Sequence, residues 1–290
     1  MLVWLNGRFV AARDARVSAL DRGFLHGDGV YDTWRTYDGV PFAVAAHVAR
    51  LAAAARVLGL PPPEAATVWI RRTRVLLARN GVRDAAVRLT LTRGPAGDGL
   101  LPEGRGRPTR LLTARALPRD LDARRERGIA VVLLPFPRDA GPPWGNMKLV
   151  GHASAIVGRR LVARQRADEG LYVTPDGAVT ESTTANVFVV EGDTLVTPPV
   201  AAGVLPGVTR ALVIAIARRA GLTVREEKIP VARLRRAREV FLTASTIEIA
   251  PVVRIDGRRV GDGRPGARTR LLQSHFRAHV ARVLRVAGAR

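Results

Sequence analysis

The sequence predicts a two-domain protein of the α+β class, and three observations carry that prediction. Short strands with alternating apolar residues, joined at Asn-Gly or Asp-Gly turns, occur in both halves of the 290-residue chain. In each half these strands are mixed with amphipathic helices instead of alternating regularly with them. Between the halves runs a charged, strand-poor stretch, "PRDLDARRERG". The expected division is a small α/β domain over 1–117, a linker over 118–128 and a larger domain over 129–290.

The elements follow in order. "MLVWLNGRFV" alternates and turns at Asn6-Gly7, which predicts a hairpin. "GVYDTWRTYDGVPFAV" supplies two strands around Asp38-Gly39. A helix is expected over 45–58, stopped by Gly59 and the prolines at 61–63, and another over 64–79, closed by Asn80-Gly81. "AAVRLTLTRG" is a strand, 94–108 a Gly/Pro-rich loop and "TRLLTARAL" a further strand. Beyond 128, "IAVVLLPF" predicts a buried strand and 149–167 a helix. "GLYVTPDGAVTE" and "NVFVVEGDTLVTP" turn at Asp176-Gly177 and Gly192-Asp193. "GVLPGVTRALVIAIARRAGL" is a loop opening an apolar helix, "EVFLTASTIEIAPVVRIDG" a strand, turn and strand, and 264–286 a final helix.

Composition narrows the function classes. No apolar run is long enough for a membrane span, and the N-terminal segment lacks the apolar core of a signal peptide. With no cysteine there is neither disulfide framework nor thiolate chemistry, which fits a cytoplasmic protein. The net charge of +22 invites a nucleic-acid reading. Against it, the arginines are scattered over every expected helix, and aromatics at 5% leave no stacking platform. Most of this charge reads as solvated surface.

Chemistry enters at "WGNMKLVGHASA". Of 47 basic residues only Lys148 and Lys228 are lysine. A guanidinium stays protonated, whereas a lysine amine can be neutral and nucleophilic, so a lysine kept in an arginine-committed chain is a candidate. Four other features are anion- or heterocycle-directed. In "GVLPGVTRALV" the amides of Val208 and Thr209 open a helix, the place where phosphate binds, although taken alone Thr209 reads better as a simple cap. Ser245 and Thr246 form a hydroxyl-rich turn after an apolar strand. Arg50, one helical turn past His47, suits a phosphate or a solvated helix face. Glu181, in "VTESTTANVFVV", suits a protonated ring nitrogen or plain surface.

Taken jointly, Arg50, Lys148, Glu181, Gly207-Val208-Thr209 and Ser245-Thr246 resemble the fold-type IV pyridoxal-phosphate enzymes: branched-chain aminotransferases, D-amino-acid aminotransferases and aminodeoxychorismate lyases. The resemblance runs from "LNGRFV" and "LDRGFLHGDGVYDTWRTYDG" through "HVARL" and "TRG" to "ASTIEIAPV". It implies a C-terminal pseudo-barrel domain and pyridoxal 5'-phosphate as cofactor, with no metal. It makes Lys148 the residue bonded to the cofactor and the general base for the substrate Cα proton. Glu181 becomes the partner of the pyridine nitrogen, so that the ring serves as an electron sink. Arg50, Val208, Thr209, Ser245 and Thr246 become the phosphate contacts. It further implies a ping-pong cycle between amino acids and keto acids, and a homodimer whose pocket is closed by the neighbouring subunit.

Substrate choice departs from the family patterns. The period of two places Tyr31, Thr33 and Arg35 on one strand face, which the resemblance makes the substrate wall. Arg35 and Arg88 are candidates for a carboxylate, with plain surface arginines as the alternative. Bacillus-type D-amino-acid aminotransferases carry an arginine and a histidine in the loop after "TRG"; here the loop offers Asp98 and Leu100. The branched-chain Tyr-x-Arg is Ala86-Val87-Arg88, and the tyrosine following the lysine is missing, with His152 nearby. The expectation is an aminotransferase leaning toward D-amino acids. An aminodeoxychorismate lyase comes second, an L-branched-chain enzyme third, and a basic nucleic-acid-binding protein is the distant non-enzyme alternative.

Overall fold

The computed structural model describes residues 1–104, 106–138 and 144–288. The chain forms two compact units. The first holds Met1–Leu117, recovers Met147–Gly151 later in the chain and takes in the end of the last helix from Leu284 onward. The second holds Pro118–Asn146 and His152–Val283.

The first unit begins with the expected hairpin, β1 (Leu2–Leu5) and β2 (Arg8–Ala11), turning at Asn6 and Gly7 with φ of 46° and 100°. That left-handed backbone is the one an Asn-Gly turn accommodates. There follow α1 (Arg22–Leu25), β3 (Gly29–Tyr37), β4 (Val40–Pro41) and α2 (Val44–Val57). The unit continues with α3 (Ala66–Asn80), β5 (Ala85–Thr92) and β6 (Thr109–Ala116). Its six-stranded antiparallel sheet has the order β2-β1-β6-β5-β3-β4. Along β3 the period of two buries Val30, Asp32, Trp34 and Thr36, while Tyr31, Thr33, Arg35 and Tyr37 stay half-buried. Val30 and Trp34 share a core with Val44, Val48 and Leu51 of α2 and Trp69 and Leu76 of α3.

The segment 147–151 is strand-like, where 149–167 was expected to be one helix. Leu149 bridges Val30 in antiparallel fashion, Tyr31 N donates to Lys148 O at 2.9 Å and Val150 N to Gly29 O at 3.1 Å. Backbone groups committed to the edge of β3 cannot also enter helical bonds, so α5 begins only at Ala153, after Gly151. Met147 completes the anchoring by joining the first unit's core.

The second unit opens with α4 (Leu121–Arg127), β7 (Ile129–Leu133), α5 (Ala153–Arg164) and β8 (Glu169–Val173). Then come β9 (Ala178–Ser182), β10 (Asn186–Glu191), β11 (Thr194–Thr197) and α6 (Val208–Arg219). After β12 (Thr223–Glu226), β13 (Ile229–Pro230) and α7 (Val231–Arg236) the chain forms β14 (Glu239–Ala244) and β15 (Glu248–Ile255). It ends with β16 (Arg258–Arg259) and α8 (Ala267–Gly288). The strands run in the order β12-β11-β10-β14-β15-β7-β8-β9-β13, and β9 also pairs with β10. That pairing closes β10, β14, β15, β7, β8 and β9 into a barrel, which removes their edges. Val131, Leu171, Val187, Val189, Leu242 and Ala250 belong to one core cluster of this unit.

The stretch 118–128, expected to be a linker, begins the second unit at Pro118 and carries α4. Leu121 is buried, and so is Arg125, which pairs with Glu248 at 2.9 Å. A solvated linker has no means of satisfying a buried guanidinium; a helix packed on β15 does.

Candidate active site

In the first unit the functional side chains sort onto the two faces of β3. On the half-buried face, Lys148 Nζ lies 3.3 Å from Tyr31 Oη and 4.9 Å from the centre of its ring. The register sets Thr33 opposite Arg88 and Tyr31 opposite Thr90. Arg88 thereby stacks its guanidinium 3.7 Å from the Tyr31 ring centre and donates from Nε to Thr90 Oγ1 at 3.2 Å. Burial lowers Arg88 from the ordinary arginine value, with Tyr31 opposing, and a guanidinium so lowered remains a cation. Among the described residues no carboxylate lies within ion-pair distance of Arg88. Arg35 instead stacks on Tyr37 at 4.4 Å, so the face carries Tyr31, Thr33 and Arg35 but gathers Lys148, Tyr31 and Arg88 at one place.

On the buried face of β3 stands Asp32, 1% exposed. It accepts two bonds from Arg50, from Nε at 2.8 Å and from Nη2 at 2.8 Å, and a third from His47 Nδ1 at 2.8 Å. Arg50 is therefore not a solvated helix arginine; α2 presents it, three residues past His47, to a buried carboxylate. Burial would raise the Asp32 carboxyl, but His47 and Arg50 together hold it well below the usual carboxylate range. His47 is lowered chiefly by burial, with Asp32 pulling it up and Arg50 and Lys148 pushing it down.

In the second unit, Glu181 on β9 sits directly across from Asn186 on β10. Its Oε2 accepts from Leu205 N at 2.9 Å and from Asn186 Nδ2 at 3.2 Å, and its Oε1 pairs with Arg138 Nη1. Asn186 Nδ2 also donates to Leu205 O at 2.9 Å. These bonds tie Glu181 to the loop that opens α6. The helix starts at Val208 with Gly207 as its N-cap and no side chain capping it, so Thr209, buried at 4%, is not the cap. Gly207 packs so tightly on Asn186 that a Cβ there would lie 2.0 Å from Asn186 Oδ1. Ser245 and Thr246 occupy the turn between β14 and β15, and the turn leads into Glu248, held at φ 58° by a buried ion pair with Arg125.

Residues 29–255 match the family described as amino-transferase class IV. The chain belongs to the class IV aminotransferases. It is 35% identical over 277 residues to a Methanocaldococcus jannaschii protein assigned by name as a branched-chain-amino-acid aminotransferase, with 96% of each chain covered. It is 30% identical over 294 residues to an aminodeoxychorismate lyase of Bacillus subtilis, covering 100% of this chain and 98% of the relative. It is also 30% identical over 279 residues to a D-alanine aminotransferase of Staphylococcus epidermidis, covering 96% and 97%. The branched-chain aminotransferase of Escherichia coli superimposes with a TM-score of 0.89 at 27% identity, covering 96% of this chain and 93% of that one. A hypothetical aminotransferase from Mycobacterium tuberculosis, in its pyridoxal-phosphate-bound form, superimposes with a TM-score of 0.84 at 26% identity, covering 96% and 98%.

As a class IV aminotransferase the chain is a pyridoxal-phosphate-dependent enzyme. Each unit offers groups of the kinds such a cofactor takes: the first a primary amine beside a phenol, the second a thrice-bonded carboxylate and an uncapped helix start. Lys228, the other lysine, is an exposed surface partner of Asp176. Three residues of these clusters escaped the sequence reading: Asp32, Arg138 and Asn186. Asp32 had a signal, an acid in the apolar row of an alternating strand. Asn186 had a weaker one, lying five residues past Glu181 across a tight strand return, and Arg138 had none, because its partner is 43 residues away.

Proposed function

We propose that this enzyme transfers the amino group of an amino acid, with D-amino acids as the preferred donors, to a 2-keto acid in a two-half cycle. Lys148 holds the cofactor and, once released, takes the Cα proton of the donor and returns it on the cofactor side. The bound cofactor supplies the electron sink for that proton removal. Glu181 meets the ring nitrogen. Arg50, Val208, Thr209, Ser245 and Thr246 meet the phosphate, with Asp32 and His47 fixing the Arg50 fork. Tyr31, Thr33 and Arg35 line the substrate wall, and Arg88 receives the donor's carboxylate.

The observation that carries this reading is the stack of Lys148 and Arg88 on Tyr31: an amine, a phenol and a partly buried cation with no carboxylate in ion-pair contact among the described residues. A desolvated guanidinium of this kind is complementary to a carboxylate that arrives with substrate. The D-preference rests on the missing branched-chain features, since the strand offers Ala86-Val87-Arg88 and no tyrosine shortly follows Lys148. The experiment is a donor panel of D- and L-amino acids with pyruvate and 2-oxoglutarate as acceptors. Activity confined to L-leucine, L-isoleucine and L-valine removes the D-preference and leaves the cofactor roles standing. A lyase is the second reading, favoured by the full-length match to the Bacillus subtilis enzyme. Release of pyruvate from aminodeoxychorismate without transamination would install it.

The enzyme is also proposed to be a cytoplasmic homodimer. No described helix is long and apolar enough to cross a membrane. Leu20, Phe24, Leu100 and Leu101 are exposed on the first unit, the last two on a loop whose carbonyls accept from buried Arg22: Gly97 O at 3.1 Å and Leu100 O at 2.7 Å. The Gly/Pro-rich loop thus presents Leu100 and Leu101 outward, which supports an interface with a second copy.

A further inference from the structure

Arg138 lies in the second unit, past the end of β7. Its Nη1 pairs with Glu181 Oε1 and donates to Gly203 O at 3.2 Å. Glu181 is buried at 6% exposure, on a barrel strand whose five residues are all buried. The other ionisable groups around the pair are Tyr172, whose phenol is pushed up chiefly by burial, and Glu169. Glu169 is engaged elsewhere, accepting from Thr184 Oγ1 at 2.6 Å and facing Arg159 at 3.4 Å. Arg138 is therefore a cation in direct contact with the Glu181 carboxylate.

We propose that Arg138 is a positioning residue that fixes the proton on the cofactor's ring nitrogen by holding Glu181 as a carboxylate. The proposal rests on the reading of Glu181 as the ring-nitrogen partner. A carboxylate and a pyridine nitrogen in contact share one proton. With the proton on Glu181 both groups are neutral, and burial favours that arrangement. With the proton on the ring they form an ion pair, the arrangement that draws electrons from the substrate. A guanidinium on Oε1 cannot give up its charge, and it stabilises the carboxylate form directly. The Leu205 amide and the Asn186 amide push in the same direction from Oε2. An adjacent opposite charge shifts a carboxyl by about 1–3 pKa units, so losing Arg138 moves the proton ratio toward Glu181 by about tenfold to a thousandfold.

The test uses holoenzyme carrying cofactor labelled with 15N in the ring, in wild type, Arg138→Gln, Arg138→Met, Arg138→Lys, Glu181→Gln and the Arg138→Gln/Glu181→Gln double variant. The readouts are the 15N resonance of the ring nitrogen, the single-turnover rate of donor deprotonation and the cofactor dissociation constant. Arg138→Gln and Arg138→Met are expected to move the resonance from the pyridinium toward the neutral pyridine position. Their rate is expected to fall by about tenfold or more, with cofactor affinity retained. Arg138→Lys keeps the charge and is expected to restore most of both. In the Glu181→Gln background, Arg138→Gln is expected to change neither the resonance nor the rate further. A fully protonated ring with wild-type rate in either folded uncharged variant overturns the proposal. If Glu181→Gln alone leaves the resonance at the wild-type position, the assignment of Glu181 fails, and that result is separate from the Arg138 comparison.

Discussion

Replacing Arg50 by alanine is expected to destabilise the first unit more at pH 8 than at pH 5.5. The substitution strands Asp32, which is 1% exposed, with His47 as a remaining partner. Breaking a buried ion pair by removing one member costs about 3–5 kcal/mol. At a urea slope of about 2 kcal/mol/M this lowers the midpoint by roughly 1.5–2.5 M. Removing the other member should cost less, because Arg50 is 12% exposed and regains water more easily than Asp32 does. The pH dependence comes from His47. In wild type it is lowered by burial, and Arg50 adds to that lowering. Without Arg50 one of the lowering influences is gone, while burial and Lys148 remain, so the folded pKa of His47 rises relative to wild type. A histidine lowered by folding costs stability as pH falls below its unfolded value of about 6.5, and the variant, less lowered, loses less of it than wild type does. Each unit of that rise recovers at most about 1.4 kcal/mol on the acid side, or roughly 0.7 M of midpoint. In wild type the Asp32 carboxyl is depressed, so its stabilisation is present above about pH 4 and lost only in stronger acid. In the variant burial is opposed by one cation fewer and the carboxyl rises, which acts in the same direction by easing the stranded charge at the lower pH. Urea titrations of the apoprotein, which exclude the stabilisation added by bound ligand, are followed by tryptophan fluorescence. Trp4, Trp34 and Trp69 are all buried in the first unit's core, so the signal is dominated by the affected unit. A penalty equal at the two pH values, or one below about 1 kcal/mol, would show that Asp32 does not depend on Arg50 and His47 in this way.

Lys148→Ala is expected to abolish both the visible absorbance of the lysine-bound cofactor and the half-reaction. Lys228→Ala, on an exposed ion pair, keeps both, and the reverse pattern would reassign the amine. Arg88→Ala is expected to raise KM for amino acids by tens of fold, from about 1.5–3 kcal/mol of lost charge-assisted bonding, and to spare an amine without a carboxylate. Equal effects on both donors would make Arg88 structural. Gly207→Ala places a methyl 2.0 Å from Asn186 Oδ1, while its φ of −64° is one that alanine accepts. The cost is therefore displacement of Asn186 from Glu181, and cofactor dissociation constants matching wild type would refute that coupling. Light scattering of active enzyme is expected to give a dimer, and an active monomer at assay concentration would exclude the interface carrying Leu100 and Leu101.

The hairpins were legible because their cause is local. Asn6-Gly7, Asp38-Gly39 and Asp176-Gly177 each specify a turn without reference to the rest of the chain. The order Arg50, Lys148, Glu181, Thr209, Thr246 was read in a different way, from the joint family resemblance, since each residue alone also suits a plain structural role. What the sequence hid was pairing across distance. Nothing local says that Leu149 will bridge Val30, and so 149–152 read as the start of a helix. Arg125 looked like one more surface arginine in a charged stretch until Glu248, across more than a hundred residues, took it into the barrel wall. The strand Thr223–Glu226 carries two charges and one half-buried valine, too little alternation to announce that it pairs in parallel with β11.

The short return of Met147–Gly151 to the first unit sets an order of events during synthesis. Leu117 ends the unit's own six strands, but the core still lacks Met147, and the edge of β3 at Gly29–Tyr31 still lacks its neighbour. A ribosome must first release α4 and β7, which belong to the other unit, before that edge can be covered. Until then the nascent unit displays an unpaired strand edge, the kind of surface on which chains associate wrongly. The same five residues carry Lys148, so the closing of the sheet and the arrival of the amine proposed to hold the cofactor are one step. A fragment ending at Leu117 would be unfinished as a fold and would lack that amine for a single reason.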